Sequence, residues 1–544
     1  MNSILSRCTY CDGKLSPCVF DAVPGTQHHA LLNSNEPPVE SDAVVVRSTI
    51  LQAEEHLAWL RHKIARLLSQ VKDSKELEQL EEERVLISSY LAENRGIFSP
   101  LRRLPPELLC EIFGWTVASA KKAQLKRHLG FCEKDSPWVL THVSHTWRAI
   151  SVSTPSLWST VTINYGTLVE SSSYPLAMLE THVARAQKLR INFYGCDLSN
   201  RHDTNQLEIF QYLVKHASRW EELHLEATHS LYALLESLPD CVPLLRRVRM
   251  RVRRNGRSSI VGSFRFLNTA PSLVDINLYD QPSSFSFHPP SRLARYQLEA
   301  PLKTHLDILK LAPRLVEAHI RVQDNNDPWL DSREIIVLSS VRHLYASQPK
   351  ALDYIQTPAL EDLSIPLGIS SCPTIDSFLA RSSCALRSLC ISDRPEFGAH
   401  ETLAVINNIP SLIELRFIVS NSIHQVNALL AELTISDAGT RTVVPQLTSI
   451  SFAPRPWVQE KFDYGAYVRM IRSRLKSPEC ALTSTTLCIT RYPDINSPVI
   501  RSLDLLHETG LQFELLTGSE ARGDGGPLDV FLSFRRAVAY RPLH

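Results

Sequence analysis

The sequence predicts an α/β chain in which a helical N-terminal part precedes a long alternation of strands and helices. Three observations lead there. Residues 48–95 contain neither glycine nor proline and are dominated by Glu, Lys, Arg, Leu and Gln, as in a long helix with a narrow apolar seam. Residues 99–158 hold two apolar stretches at helical spacing, "SPLRRLPPELLCEIFGW" and "WVLTHVSHTWRAISVSTPSLW". After residue 160 a phrase close to Leu-x-x-Leu-x-Leu returns every 19–35 residues, a period that marks stacked repeats.

At 544 residues the chain is too long for one core, so two or three structural units are expected. A hydrophobic content of 44% and a net charge of +1 argue against a long disordered protein and against one that grips nucleic acid by bulk charge. The longest apolar runs, such as "AVVV" at 43–46, are too short to cross a bilayer. The start, "MNSILSRCTYCDGKLSPC", lacks the apolar region of a secretory signal. Twelve cysteines spread along such a chain read as thiols in a reducing compartment, so cytoplasm or nucleus is expected.

Residues 1–47, rich in Pro, Ser and Asn without sustained period, are expected to form a disordered arm. Cys8, Cys11 and Cys18 with His28 and His29 are zinc-ligand types. Their second half is too loosely spaced for two tight ligand pairs, so free thiols are expected and no metal or cofactor. In the coiled-coil segment 48–95, Leu57, Leu60, Ile64, Leu67 and Val71 alternate steps of three and four. Leu77, Leu80, Ile87 and Leu91 resume the pattern out of register. Around "KDSK" (72–75) the helix is therefore expected to stutter or fold back as a hairpin. Its role is read as self-association or spacing, or else packing on its own chain.

In the third segment, 99–160, Pro105 and Pro106 set the backbone entering a helix where missing N–H groups cost nothing. Glu107 suits the positive end of the helix dipole. Leu108, Leu109, Ile112 and Phe113 then share a broad apolar face, and Val139, Val143 and Trp147 line up four apart. Pro155 opens a further turn bearing Leu157 and Trp158. So short a segment cannot bury this apolar surface alone, which points to a partner protein or to packing on the next domain.

The order of these landmarks resembles the F-box in the form common among fungal F-box proteins: Leu104, Pro105, Glu107, Ile112, Phe113, Val143, Trp147, Arg148, Pro155, Leu157 and Trp158 all have counterparts in that pattern. A basic insertion between Gly114 and Pro137 departs from it and is expected to loop out between helices. The resemblance implies binding to a Skp-type adaptor and, through it, to cullin and RING subunits of an SCF-type ubiquitin ligase. It also implies that the chain selects a protein substrate and performs no chemistry itself. The adaptor-facing residues it implies are Leu104, Pro105, Pro106, Leu108, Ile112, Phe113, Val143, Trp147, Leu157 and Trp158.

The repeated phrase appears ten times between "WEELHL" (220–225) and "LTSISF" (447–452). Helix-like stretches such as "PTIDSFLARSS" lie between the copies, so residues 161–515 read as an irregular leucine-rich-repeat horseshoe. The last two apolar positions of each phrase are two apart and point inward, while the residues between them face water. Those outward residues include Arg247, Arg249, Arg251 and Arg253 of "RRVRMRVRR", and Glu317, His319, His343 and Tyr345. They are the candidate substrate contacts, the arginine row being a fork array suited to carboxylates or phosphates. Residues 516–544, with "GSEARGDGGP", are expected to form a mobile tail.

The chain contains no phosphate-binding Gly-x-x-x-x-Gly-Lys-Ser/Thr loop, no His-Glu-x-x-His, no Gly-x-Ser-x-Gly elbow and no Gly-x-Gly-x-x-Gly. A non-catalytic receptor is therefore expected, without membrane or nucleic-acid partners. The competing reading is a coiled-coil scaffold acting outside any ubiquitin ligase.

Overall fold

The computed structural model describes residues 25–69, 75–124, 136–165, 174–196, 200–236, 242–252, 265–279, 287–323, 334–435, 443–489 and 510–517, with Leu238, Leu503 and Leu506. It divides into two compact units, residues 1–189 and 190–544. That boundary falls inside a strand rather than at residue 160. Cys8, Cys11, Cys18, Val71 and Arg253, and all of the expected tail except residues 516–517, lie outside the described residues.

The first unit opens with three helices, α1 (Gln27–Leu32), α2 (Glu40–Leu68) and α3 (Lys75–Ile97). Residues 27–32 and 40–47 are thus helical where the sequence reading expected a disordered arm. The side chain of Thr26 caps α1 by accepting from the His29 N–H at 3.3 Å. Glu40 and Asp42 occupy the first turn of α2, where a carboxylate is favoured. Leu31 packs with Val46 and Ile97, so the short helix is held by a partner far along the chain.

Helices α2 and α3 run antiparallel, as three contacts show: the ion pairs Lys63–Glu76 at 3.1 Å and Arg95–Glu54 at 2.5 Å, and between them His56 Nε2 at 3.2 Å from Glu83. Leu57, Leu60 and Ile64 pack against Leu80, Ile87 and Leu91. Of the two expected forms, the hairpin is the one adopted. The seam read as a self-association element is covered inside the chain, because a partner helix of matching spacing follows within a few residues.

Then follow α4 (Pro106–Gln124), α5 (His145–Ser153), β1 (Thr160–Asn164), α6 (Leu176–Arg185) and β2 (Leu189–Tyr194). Helix α4 continues through Gly114, so the start of the insertion extends the helix instead of looping out. No described helix is long and apolar enough to cross a membrane.

The second unit alternates strand and helix. Its strands are β3 (Trp220–Ala227), β4 (Arg247–Val252), β5 (Asp275–Tyr279), β6 (Arg295–Ala300), β7 (Glu317–Val322), β8 (Ile336–Val337), β9 (His343–Ala346) and β10 (Ile355–Gln356). They continue with β11 (Asp362–Leu367), β12 (Ser388–Asp393), β13 (Glu414–Val419), β14 (Ser449–Pro454), β15 (Ser484–Ile489) and β16 (Gln512–Thr517). Interleaved are α7 (Asn200–Val214), α8 (His229–Glu236), α9 (Arg265–Asn268), α10 (Leu302–Lys310), α11 (Cys372–Ser382), α12 (Ala399–Asn407), α13 (Ile423–Glu432) and α14 (Tyr464–Lys476). A sheet of 14 strands takes them in chain order from β1 to β16, omitting only β8 and β10, which pair with each other. From β3 onward every described pairing is parallel.

Register stacks the apolar positions into two ladders on one face. One runs through Leu223, Val248, Ile276 and Tyr296, the other through Leu225, Met250, Leu278 and Leu298. Helices cover this face. The Tyr296 hydroxyl meets His305 Nδ1 of α10 at 2.7 Å, and the other ring nitrogen of His305 lies 3.0 Å from the Arg321 carbonyl. Burial lowers the His305 pKa to about 4, so the ring is neutral at pH 7. The ten phrases coincide with β3–β7, β9 and β11–β14. Strand β15 escaped the pattern because Thr485 stands in a leucine position. Its hydroxyl donates to the Ile450 carbonyl at 2.6 Å and lies 2.7 Å from the hydroxyl of Tyr467 on α14.

Candidate functional site

Two surfaces gather the residues that the sequence singles out, one in each unit. The first is α4. Pro106 opens the helix, and the Leu109 N–H donates to the Pro105 carbonyl at 3.1 Å. Leu109 and Phe113 turn inward and are buried; the Phe113 ring lies 4.8 Å from that of Trp147 on α5. On the other side, Leu108, Ile112 and Trp115 follow at i, i+4 and i+7, which places them on one face. Leu108 is 50% exposed and Trp115 is 71% exposed, with Ile112 half-buried. A run of large apolar side chains left in water is the unusual observation here.

The implied adaptor contacts therefore separate. Pro105, Pro106, Leu108 and Val143 are exposed, while Leu104, Ile112 and Trp147 are half-buried. Phe113, Leu157 and Trp158 are buried within this unit, and the expectation that they face a partner is corrected. The Trp158 Nε1–H donates to the Ser151 carbonyl at 2.7 Å, and its ring stands edge-on to Trp138 at 5.1 Å. These side chains form the small helical core itself. Trp115 was missed, although continuing the Leu108–Ile112 spacing through Gly114 would have found it.

The second surface is the sheet face away from the helices, where register gives three rows. The first reads Glu222, Arg247, Asp275, Arg295, Glu317, His343 and Asp362. Acid and base alternate across it: Arg247–Glu222 is 2.9 Å, Arg295–Asp275 3.7 Å, Arg295–Glu317 3.5 Å and His343–Asp362 3.8 Å. Like charges on adjacent strands would repel, and the alternation removes that cost. Burial raises the Asp275 pKa, with Arg295 and Arg249 opposing the shift.

The central row reads His224, Arg249, Asn277, Gln297, His319, Tyr345, Ser364, Cys390 and Arg416. From Asn277 onward it is buried. Arg416 Nη2 donates to both carboxylate oxygens of Asp362, at 3.1 and 3.0 Å, and to the Ser388 hydroxyl at 2.6 Å. Burial works against this guanidinium, but Asp362, Cys390 and Glu414 outweigh it, so its pKa ends above the ordinary value. In the third row the Arg251 and Arg321 guanidiniums both lie over the Tyr279 ring, at 5.2 and 5.7 Å.

The expected substrate contacts are thus sorted by access. His319 and Tyr345 are buried, which removes them as surface contacts; His319 lies 2.9 Å from Glu317. Glu317 and His343 are half-buried. The arginine row is not a free fork array either. Arg247 is paired with Glu222, Arg251 is half-buried against Tyr279, and Arg249 stands exposed between the neutral side chains of His224 and Asn277. Burial, then Arg249, lowers the His224 pKa to about 4.

His28 and His29 sit in α1, with His28 Nε2 at 2.5 Å from Asn94 Oδ1 and His29 Nε2 at 3.3 Å from the Asn33 side-chain amide. Comparison with models of known protein families and with curated proteins finds no match for this chain.

Proposed function

We propose that this chain is the substrate-recognition subunit of an SCF-type ubiquitin ligase. In this reading α4 docks a Skp-type adaptor, and the strand–helix repeats form an irregular leucine-rich-repeat solenoid whose polar face receives a protein substrate. The observation that carries it is the apolar run directly behind the "LPPE" motif, with Leu108 and Trp115 exposed and Ile112 half-buried between them. Aromatic and aliphatic anchors of this kind dominate protein interfaces. On the polar face the accessible groups are the first row up to His343, the third row and Arg249, charged and interleaved. Such a surface suits selection by charge register more than by bulk attraction. A coiled-coil scaffold has less support, because Leu57, Leu60 and Ile64 are covered by α3.

Capture of the purified full-length chain on an immobilised Skp-type adaptor tests the reading. The unaltered chain should bind. Leu108→Glu combined with Trp115→Ala should abolish capture while leaving the thermal midpoint unchanged. Failure of the unaltered chain to bind, or capture that survives the double change, overturns the proposed interface.

A further inference from the structure

The turn that joins α3 to α4 carries chemistry that neither the apolar side of α4 nor the polar sheet face uses. Ser99 precedes a single tight turn, Pro100–Arg103. Its backbone, at φ −54° and ψ 129°, stays out of the helical region, as a following proline demands. Ser99 is half-buried, and Pro100 and Leu101 beside it are exposed. A serine in this position ordinarily accepts a hydrogen bond from the turn it opens. Here the hydroxyl caps nothing and has no hydrogen-bond partner among the described residues. The segment reads Ser99-Pro100-Leu101-Arg102. Of the seven Ser-Pro or Thr-Pro pairs in the chain, this one alone has a basic residue three positions after the hydroxyl. A proline next to the acceptor and a cation at that distance are what proline-directed protein kinases read.

The same turn sets what a phosphate on Ser99 would meet. Arg102 Nη1 donates to the Leu31 carbonyl at 2.9 Å and to the Glu36 carbonyl at 3.3 Å, which clips the chain after α1 to the entrance of α4. Arg103 is exposed. Neither guanidinium has an ion-pair partner among the described residues. The Arg102 N–H donates to the Ser99 carbonyl at 3.0 Å, so the hydroxyl and both arginines belong to one turn. A guanidinium held only by neutral carbonyls is held more weakly than by an anion. We propose that Ser99 is a phosphorylation site, and that its phosphate draws Arg102 from the Leu31 and Glu36 carbonyls and so unclips the chain after α1. The kinase transfers the terminal phosphoryl group of ATP to Ser99 Oγ. The bond from the γ-phosphorus to the bridging oxygen breaks, the Oγ–P bond forms, ADP leaves, and the hydroxyl proton passes to the kinase's base. The product brings a charge of about −2 at neutral pH to two unpaired arginines, the setting in which a phosphate makes new charge-assisted hydrogen bonds.

Incubation of the full chain with a purified cyclin-dependent kinase and ATP, followed by mass spectrometry, tests the site. Ser99 should take up phosphate, and Arg102→Ala should slow its modification about tenfold by removing one charge-assisted contact to the kinase. Hydrogen exchange then reads the clip. The amides of residues 31–36 should exchange faster in the phosphorylated chain than in the unmodified one. They should be equally fast in unmodified Arg102→Ala, which lacks the clip from the start, and unchanged in Ser99→Ala treated with the same kinase. Absence of phosphate at Ser99 overturns the proposal. So does phosphate at Ser99 that leaves exchange over residues 31–36 unaltered.

Discussion

The α2–α3 hairpin and α4 carry the same kind of sequence signal and meet opposite fates. Both show apolar residues at steps of three and four. In the hairpin the seam Leu57–Leu60–Ile64 is covered by Leu80, Ile87 and Leu91. On α4 one side, Leu109 and Phe113, is covered, and on the other Leu108 and Trp115 are exposed with Ile112 half-buried. Periodicity announces that an apolar face exists. Whether the chain itself supplies its cover depends on a second helix of matching spacing, close enough in sequence to fold back.

That contrast can be broken by experiment. The largest effect is expected where the helical core is closed. Trp158→Ala should cost about 3–5 kcal/mol, since it removes a fully buried indole and its bond to Ser151; the urea midpoint reads it. Asp362→Ala should cost a similar ~3–5 kcal/mol by leaving the buried Arg416 without its carboxylate at 3.0 Å and with only the longer 3.6 Å pairing to Glu414, and Arg416→Met in the same chain should recover part of the loss. In the hairpin, Leu60→Ala should cost about 2–5 kcal/mol. On the uncovered side of α4, Leu108→Ala should change stability by no more than about 0.5 kcal/mol, while weakening adaptor capture. A large stability loss there would mean that this face is covered after all.

Acid should act mainly on the covered parts. His182, His224 and His305 each have a pKa lowered to about 4, burial being the first cause in every case. A histidine whose pKa drops on folding binds its proton less tightly than in the unfolded chain. Its contribution is therefore complete above about pH 6.5 and is lost as the pH falls towards 4. For the fully buried His305 the loss is on the order of a few kcal/mol. Urea midpoints measured from pH 7 to pH 4 should fall across that window, and the fall should be shallower in His224→Gln.

The alternation of strand and helix was legible because each phrase needs two inward apolar positions two residues apart, and ten strands keep them. Strand β15 was not legible, since Thr485 satisfies its hydroxyl through Ile450 and Tyr467 where leucine would be expected. On the candidate interface the motif located α4 but could not separate anchor from core. Phe113 and Trp158 have the same chemistry as Trp115, and only the packing of α5 and α6 decides which of them water reaches. The arginine row failed for a related reason: strand-local sequence cannot reveal that Glu222 and Tyr279 stand beside Arg247 and Arg251. Helix α1 was missed because its stabilising contact, Ile97, lies well over sixty residues away.

The strand order of the large sheet, which follows the chain throughout, has a consequence for how such a chain comes into being. Within the large sheet each new strand of the second unit finds its hydrogen-bonding edge on the sheet strand before it, with only the small β8–β10 pair set aside, so no segment waits for a distant one to arrive. Loop closure is short at every step, and contacts between near neighbours form quickly. The growing edge can be laid down one ply at a time as synthesis proceeds.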